Sequence, residues 1–376
     1  MRRLFLTFLL CLLVLTVTPG CGREELPESV ETPQPTACVH SWSEGVCSLC
    51  DEACPHAEHN AESLLCTSCG QRQRHHYTNC LCSCGAEPQF VTSREEISSG
   101  FFPETDQHGS LECFFFSKDD LQPAPGNRSQ YSDREFVVYT PYGYNPEKQY
   151  DVLLLSHGAG NFCHYWLERA HGISAAYPHI TGAELLDRMI AAEMIEPLIV
   201  VSTEYRNNGT PAEIAEPYGL ELRNCILPFI ARNYGTYASF DEQGRLLVQR
   251  EHFAFAAGSF GSMIIWEGLM EQCGDLFSYW GCYSGNLTTA GEMAEMFSRM
   301  QKDGTSPNFV YNGGGAGEII ASADDSRFRE AAACSNLELG KNACSLYVEN
   351  KGHGYGCWYI CLYNSLQVFF LNEYVP

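Results

Sequence analysis

Seven apolar runs, each about one strand long and separated by stretches of helical periodicity, leave this chain few folds to choose from. They are "EFVVYTPYGY", "YDVLLLSHGAG", "PLIVVSTEY", "HFAFAAGSFG", "FSYWGCYSG", "PNFVYNGGG" and "CSLYVENKGH". Runs this apolar do not alternate between a wet and a dry face, so both faces of each strand must be covered. The segments between them, such as "AELLDRMIAAEMI", "LELRNCILPFIARNYG" and "SMIIWEGLMEQC", have the spacing of helices that cover a sheet. The expectation is an α/β fold, a doubly wound and mostly parallel sheet. With 376 residues, 45% hydrophobic and 18% charged, the chain can fill one such domain and carry something smaller beside it. A formal net charge of -23 excludes nucleic acid as a partner, because one polyanion repels another.

The chemistry concentrates where three of these runs end. Ala257-Gly258-Ser259-Phe260-Gly261 closes one strand and opens a helical stretch, which is the strand-turn-helix context of a nucleophile elbow. Small residues on either side let a tight turn lift the serine above the sheet. Ala257 stands where the pattern usually has glycine. An earlier run ends in His157-Gly158-Ala159-Gly160, a loop whose backbone N–H groups at Gly158 and Ala159 would bind an oxyanion together with the N–H of Phe260. His157 precedes the serine and is expected to be structural. His353 lies on a glycine-flanked loop after the last run and has the chain position of the general base. The acid is expected after "NFVYNGGG", where Glu318 comes first and Asp324 and Asp325 follow; the last two are expected to cap the next helix. Tyr165, Trp166 and Trp280 are placed either to stack on a sugar or aromatic acyl group or simply to pack.

These residues resemble an α/β-hydrolase of the esterase D and feruloyl-esterase-like group, the first carbohydrate-esterase family. The resemblance covers most of residues 130 to 372, through "VVYTPYGYNPEKQYDVLLLSHGAGN", "LDRMIAAEMIEPLIVVSTEYRN", "ELRNCILPFIARNYG", "AAGSFGSMIIW" and "KGHGYGCWYICLYNSLQVFF". His353 and Trp358 are similar to the family's His-x4-Trp ending. The resemblance implies Ser259 as nucleophile, His353 as base and Glu318 in the place of the family's usual aspartate. It implies hydrolysis of feruloyl or acetyl esters on plant polysaccharide, without a catalytic cofactor. The departures at Ala257 and Glu318 also permit a binding module that kept the fold and lost the chemistry. A peptidase on the same fold is a third reading, which the lack of a visible propeller or lid domain disfavours.

The N-terminal part is built differently. Arg2 and Arg3, an apolar run from Leu4 to Val17 and a small residue before Cys21 read as a signal peptide over residues 1–20. Gly20-Cys21 resembles the end of a lipobox, which would place the protein outside the cell with a lipid on Cys21 as its only tie to a membrane. Residues 21–37 are acidic and rich in proline, as an extended linker is. Residues 38–86 repeat Cys38-x-His40 with Cys47-x-x-Cys50, then Cys54-x-His56 with Cys66-x-x-Cys69. Three thiolates and an imidazole per unit suit tetrahedral structural zinc, and the repeats resemble short zinc-ribbon-like segments. Disulfides are the alternative in an oxidising compartment. A degenerate third unit offers His75 or His76 with Cys80, Cys82 and Cys84. The hydrolase domain, residues 91–376, is expected to act without this segment.

Overall fold

The computed structural model describes residues 74–92, 104–116, 134–168, 180–205 and 209–375, with Trp42–Ser43, Val46–Cys47, Cys66 and Ala124–Pro125. All seven apolar runs form strands of one sheet. These are β7 (Arg134–Thr140), β8 (Asp151–Ser156), β9 (Leu198–Thr203), β12 (Phe253–Gly258), β13 (Tyr279–Tyr283), β14 (Phe309–Gly315) and β15 (Ala343–Val348). Two further strands complete it, β5 (Ser110–Phe116) and β6 (Ala124–Pro125), in the order β15-β14-β13-β12-β8-β9-β7-β5-β6. From β15 to β9 every pairing is parallel, whereas β7, β5 and β6 run antiparallel at one edge. The sheet is therefore mixed, and mostly parallel as expected.

Its two faces carry separate cores. One gathers Phe136, Leu154, Phe255, Trp280 and Val310 under the helices that include Pro211–Glu221 and Ala290–Lys302. The other gathers Tyr139, Leu155, Ala256, Tyr283 and Tyr311 under Gly182–Ala191 and Tyr355–Leu366. Helix starts are set locally. Thr181 with Glu184, Thr210 with Glu213, and Thr289 with Glu292 each form a capping box, satisfying end N–H groups that would otherwise lack partners. Each cap contributes about 1 kcal/mol.

The remaining strands are short. β1 (Trp42–Ser43) pairs with β2 (Val46–Cys47), and β10 (Ala238–Phe240) with β11 (Leu246–Val248). β3 (Tyr77–Thr78) and β4 (Leu81–Cys82) form a hairpin that adds β16 (Asn372–Glu373) alongside β3. This ties residues 74–92 to the far end of the chain. The Cys80 N–H donates to Asn372 Oδ1 at 2.8 Å, and the Val91 N–H donates to Asn364 Oδ1 at 2.8 Å. No helix of the described residues is long and apolar enough to cross a membrane.

Candidate functional site

The end of β12 fixes the serine. Ser259 has φ 53° and ψ -121°, a backbone that side-chain-bearing residues rarely adopt. Its N–H donates to the Tyr283 carbonyl at 2.7 Å, anchoring the turn to β13. The flanking small residues are demanded by space. A Cβ on Gly258 would come within 2.6 Å of the Trp358 ring, and one on Gly261 within 2.6 Å of the His157 carbonyl oxygen. Ala257 is fully buried in the strand, and its methyl would lie 3.1 Å from a Cβ on Gly261, so Gly261 leaves the room that Ala257 uses. The departure from two glycines is thus accommodated in packing. The helix Phe260–Ile264 begins at once, with Phe260 as its first residue.

Three sheet ends converge on this turn. The Ser259 hydroxyl lies 2.8 Å from His353 Nε2, and His353 Nδ1 lies 2.9 Å from Glu318 Oε2. A carboxylate only accepts, so Nδ1 carries the proton toward Glu318 and Nε2 is left to accept from the serine. Glu318 follows β14, and His353 sits in the loop between β15 and the helix Tyr355–Leu366. The His353 side chain is 48% exposed, open to an incoming molecule, while the Glu318 side chain is 3% exposed. Glu318 Oε1 accepts from the Ser284 hydroxyl at 2.6 Å and from the Gly315 N–H at 2.7 Å. Burial pushes this carboxyl up, but the hydrogen bonds from His353, Ser284 and Gly315 outweigh it and hold it below the usual range.

Asp324 and Asp325 stand elsewhere. Asp324 is buried near Asn312, Asn286, Arg327 and Tyr347, where loss of solvent pushes its carboxyl up to about 6. Asp325 accepts from the Ser345 hydroxyl at 2.6 Å and from Arg329. Neither caps a helix as expected: the helix Ala321–Ala333 starts at Ile320 with no side-chain cap, and both aspartates lie within its run.

The glycine loop lies against the serine. A Cβ on Gly158 would be 3.1 Å from Ser259 Cβ, so the loop backbone passes directly over the turn. Ala159 follows it at the surface, and Gly160 turns the chain at φ 71°. His157 is buried, with its Nδ1 donating to the Gly158 carbonyl at 2.8 Å and its ring stacked 4.4 Å from Tyr205. It braces the loop, as its position before the serine suggested.

Two of the aromatic assignments are corrected. Trp166 is wholly buried, with its N–H donating to the Ser156 carbonyl at 2.8 Å. Trp280 is wholly buried on β13 among Phe255 and Phe277. Neither ring can stack on a ligand, because each faces a core rather than the cleft. Tyr165 is half-buried beside Phe162 and Tyr355. Exposed apolar side chains do flank the site in sequence: Phe162 past the glycine loop, Leu287 past Ser284 and Ile319 next to Glu318. Ser284 was not foreseen. Its one available signal is a small residue just past the strand beside the serine's own.

In the N-terminal segment His75 Nδ1 lies 3.5 Å from Cys84 Sγ, and donor atoms of His75, Cys82 and Cys84 all lie within 4.8 Å of one another. Cys80 is not with them; its thiol donates to the Lys341 carbonyl at 2.9 Å. Cys66 is buried, and Cys47 is placed only as part of β2. Cys38, His40, Cys50, Cys54, His56 and Cys69 lie outside the described residues, as do residues 1–41 with Cys21.

No family model matches the chain. It is 30% identical over 149 residues to endo-1,4-beta-xylanase Y of Acetivibrio thermocellus, a stretch covering 40% of this chain and 13% of that protein's length. Its fold is similar to a mutant of the feruloyl esterase module from Clostridium thermocellum complexed with sinapinate, at 21% identity and a TM-score of 0.57. That likeness covers 76% of this chain and 96% of that one. A second solved ferulic acid esterase is 18% identical with a TM-score of 0.50, over 71% of this chain and 99% of its own. The chain has the α/β-hydrolase fold, and structures of feruloyl esterases are among its neighbours.

Proposed function

We propose that the chain is a serine esterase that hydrolyses carboxylic esters, with Ser259 as nucleophile, His353 as general base and Glu318 as the acid that orients it. The observation that carries this reading is the continuous relay from Ser259 Oγ through His353 to Glu318, at 2.8 and 2.9 Å. His353 Nε2 takes the hydroxyl proton as Ser259 Oγ attacks the ester carbonyl. The imidazolium so formed is stabilised by the buried Glu318 carboxylate. Backbone N–H groups of Phe260, Gly158 and Ala159 receive the oxyanion, which the helix start at Phe260 also favours. His353 then returns the proton to the leaving alcohol, and water activated by the same ring releases the acid. No step in this sequence calls for a metal or an organic cofactor.

The substrate is a feruloyl or acetyl ester on a polysaccharide. Similarity to feruloyl esterases supports that class, and Phe162, Leu287 and Ile319 offer apolar surface to an aromatic acyl group. The protein works outside the cell, exported by residues 1–20 and held through a lipid on Cys21. The two complete Cys/His repeats bind structural zinc, and the grouping of His75, Cys82 and Cys84 supports a third site in the degenerate unit.

A fluorophosphonate probe, with feruloyl, acetyl and short acyl esters assayed in parallel, tests the proposal. Ser259 should be labelled, and Ser259→Ala should lose both label and hydrolysis, by about a thousandfold or more in rate. Absence of label at Ser259 in the folded protein would support the non-catalytic binding module instead.

A further inference from the structure

A second set of reactive side chains lies at the sheet edge that carries Ser259, three strands along it. Cys113 comes from β5, Glu135 from β7, Glu204 from just past β9, and Cys163 and His164 follow the glycine loop. The strand register explains the meeting: Phe136 pairs with Thr203, so Glu135 and Glu204 are the next residues out on adjacent strands. Cys113 pairs with Val137, on the same face as Glu135. Donor atoms of Cys113, Glu135 and His164 all lie within 4.8 Å of one another, and so do those of Glu135, Cys163 and Glu204.

We propose that Cys113, Glu135 and His164, with Cys163 available as a fourth donor, hold one structural zinc-class divalent cation. Three features carry this. The first is donor type: thiolate, imidazole and carboxylate together suit zinc, whereas magnesium and calcium prefer oxygen alone. The second is spacing. His164 Nε2 lies 3.3 Å from Glu135 Oε2, and the Cys113 thiol donates to Glu135 Oε1 at 2.8 Å, the proton that a bound metal displaces. With bonds of about 2.0–2.1 Å, nitrogen and oxygen ligands on one tetrahedral zinc stand about 3.3 Å apart. The His164 ring is also within hydrogen-bonding reach of both Cys113 and Cys163. The third is orientation. His164 Nδ1 donates to Glu168 Oε2 at 2.6 Å, which fixes the ring and leaves Nε2 facing the cluster. A carboxylate behind a ligating histidine is the usual support of a zinc site.

Charge argues the same way. Glu135 is 3% exposed and Glu204 8%, two carboxylates on adjacent strands, and a bound dication offsets negative charge that burial makes costly. The ion would pin the segment after the glycine loop to the sheet, steadying the loop backbone over Ser259. The site does not depend on the esterase reading, nor on zinc in the N-terminal repeats.

The full chain is stripped with chelator, dialysed against zinc chloride, and assayed for bound metal beside Cys113→Ser/His164→Ala. The double variant should hold one zinc fewer per chain, the N-terminal repeats contributing equally to both. In the unsubstituted protein, zinc should slow alkylation of Cys113 by iodoacetamide about tenfold or more relative to the chelated protein. The alkylation result decides alone if the double variant does not fold. Equal zinc in the two folded chains, alkylation of Cys113 that ignores zinc, or Cys113 found in a disulfide overturns the proposal.

Discussion

The Trp358 indole N–H donates to the Ser284 hydroxyl oxygen at 2.8 Å, and that hydroxyl donates in turn to Glu318 at 2.6 Å. The tryptophan ring also meets His353 edge-on, with centroids 5.3 Å apart. One side chain thus supports the proposed acid through Ser284 and touches the proposed base directly. Ser284 itself is held at φ 56° beside β14, its N–H donating to the Gly313 carbonyl at 2.7 Å.

Ser284→Ala should therefore lower kcat by about tenfold while leaving KM nearly unchanged. The substitution removes one of the hydrogen bonds that keep Glu318 ionised and aimed at His353. It also leaves the buried Trp358 N–H without its acceptor, at a stability cost of about 1–3 kcal/mol. Steady-state kinetics and a thermal melt on the same variant check both effects. An unchanged kcat would show that Gly315 and His353 suffice to orient the acid.

The three carboxylates offered by the loop after β14 should separate cleanly. Glu318→Gln should cut ester hydrolysis by a hundredfold or more, since a neutral amide no longer stabilises the imidazolium. Asp325→Asn should stay within a few-fold of the parent, its partners being Ser345 and Arg329 rather than His353. Loss of rate in Asp325→Asn equal to that in Glu318→Gln would contradict the relay.

Asp324 should show itself in stability rather than in rate. Its folded pKa of about 6 lies above the ordinary carboxyl value of 3.8, because burial penalises the charged form. The proton is thus bound more tightly in the folded chain. The stability this gives is complete below about pH 4 and is lost as pH rises through about 6. The loss approaches roughly 2–3 kcal/mol. Asp324→Asn removes the titration, so its denaturation midpoint should not fall between pH 4 and 7 as the parent's does. Parallel denaturant titrations across that range measure the difference.

The sheet was legible because its strands are buried on both faces, which forces continuous apolar runs that no surface segment shares. The strand Ser110–Phe116, next to the edge of the sheet, was missed for the opposite reason: its first three residues are exposed and only its last three are buried, so "SLECFFF" carries neither pattern for long. Ser259 and Glu318 could be picked out because each follows a strand that ends in glycine, and His353 because Gly352 and Gly354 flank it in the loop after the last strand. Trp166 and Trp280 could not be sorted the same way. An aromatic beside a site motif reads alike whether its ring enters the cleft or the core, and a shift of one residue along the strand or helix decides which. The docking of residues 74–92 left no trace in local sequence, since its partners lie near the opposite end of the chain.

That docking sets the last expectation, which bears on the domain boundary proposed at residue 91. Asn364 is wholly buried on the helix that also carries Trp358, and its side chain is satisfied from both sides by Val91. Its Oδ1 accepts from the Val91 N–H at 2.8 Å and its Nδ2 donates to the Val91 carbonyl at 2.9 Å. Gln367 Nε2 donates to the Gln89 carbonyl at 3.0 Å, and the Tyr77 N–H to the Leu371 carbonyl at 2.7 Å. A chain beginning at residue 93 loses all of these and leaves the buried Asn364 Oδ1 without its donor, its Nδ2 keeping only the Tyr311 hydroxyl, at a cost of about 2–4 kcal/mol. For a domain of this size that lowers the melting temperature by roughly 5–10 °C. Because the loosened helix bears Trp358, the rate of ester hydrolysis should fall as well. A chain beginning at residue 74 keeps every one of these bonds and should melt within a few degrees of the full protein. Equal melting of the chains beginning at 74 and at 93 would mean that the hydrolase domain closes without this segment.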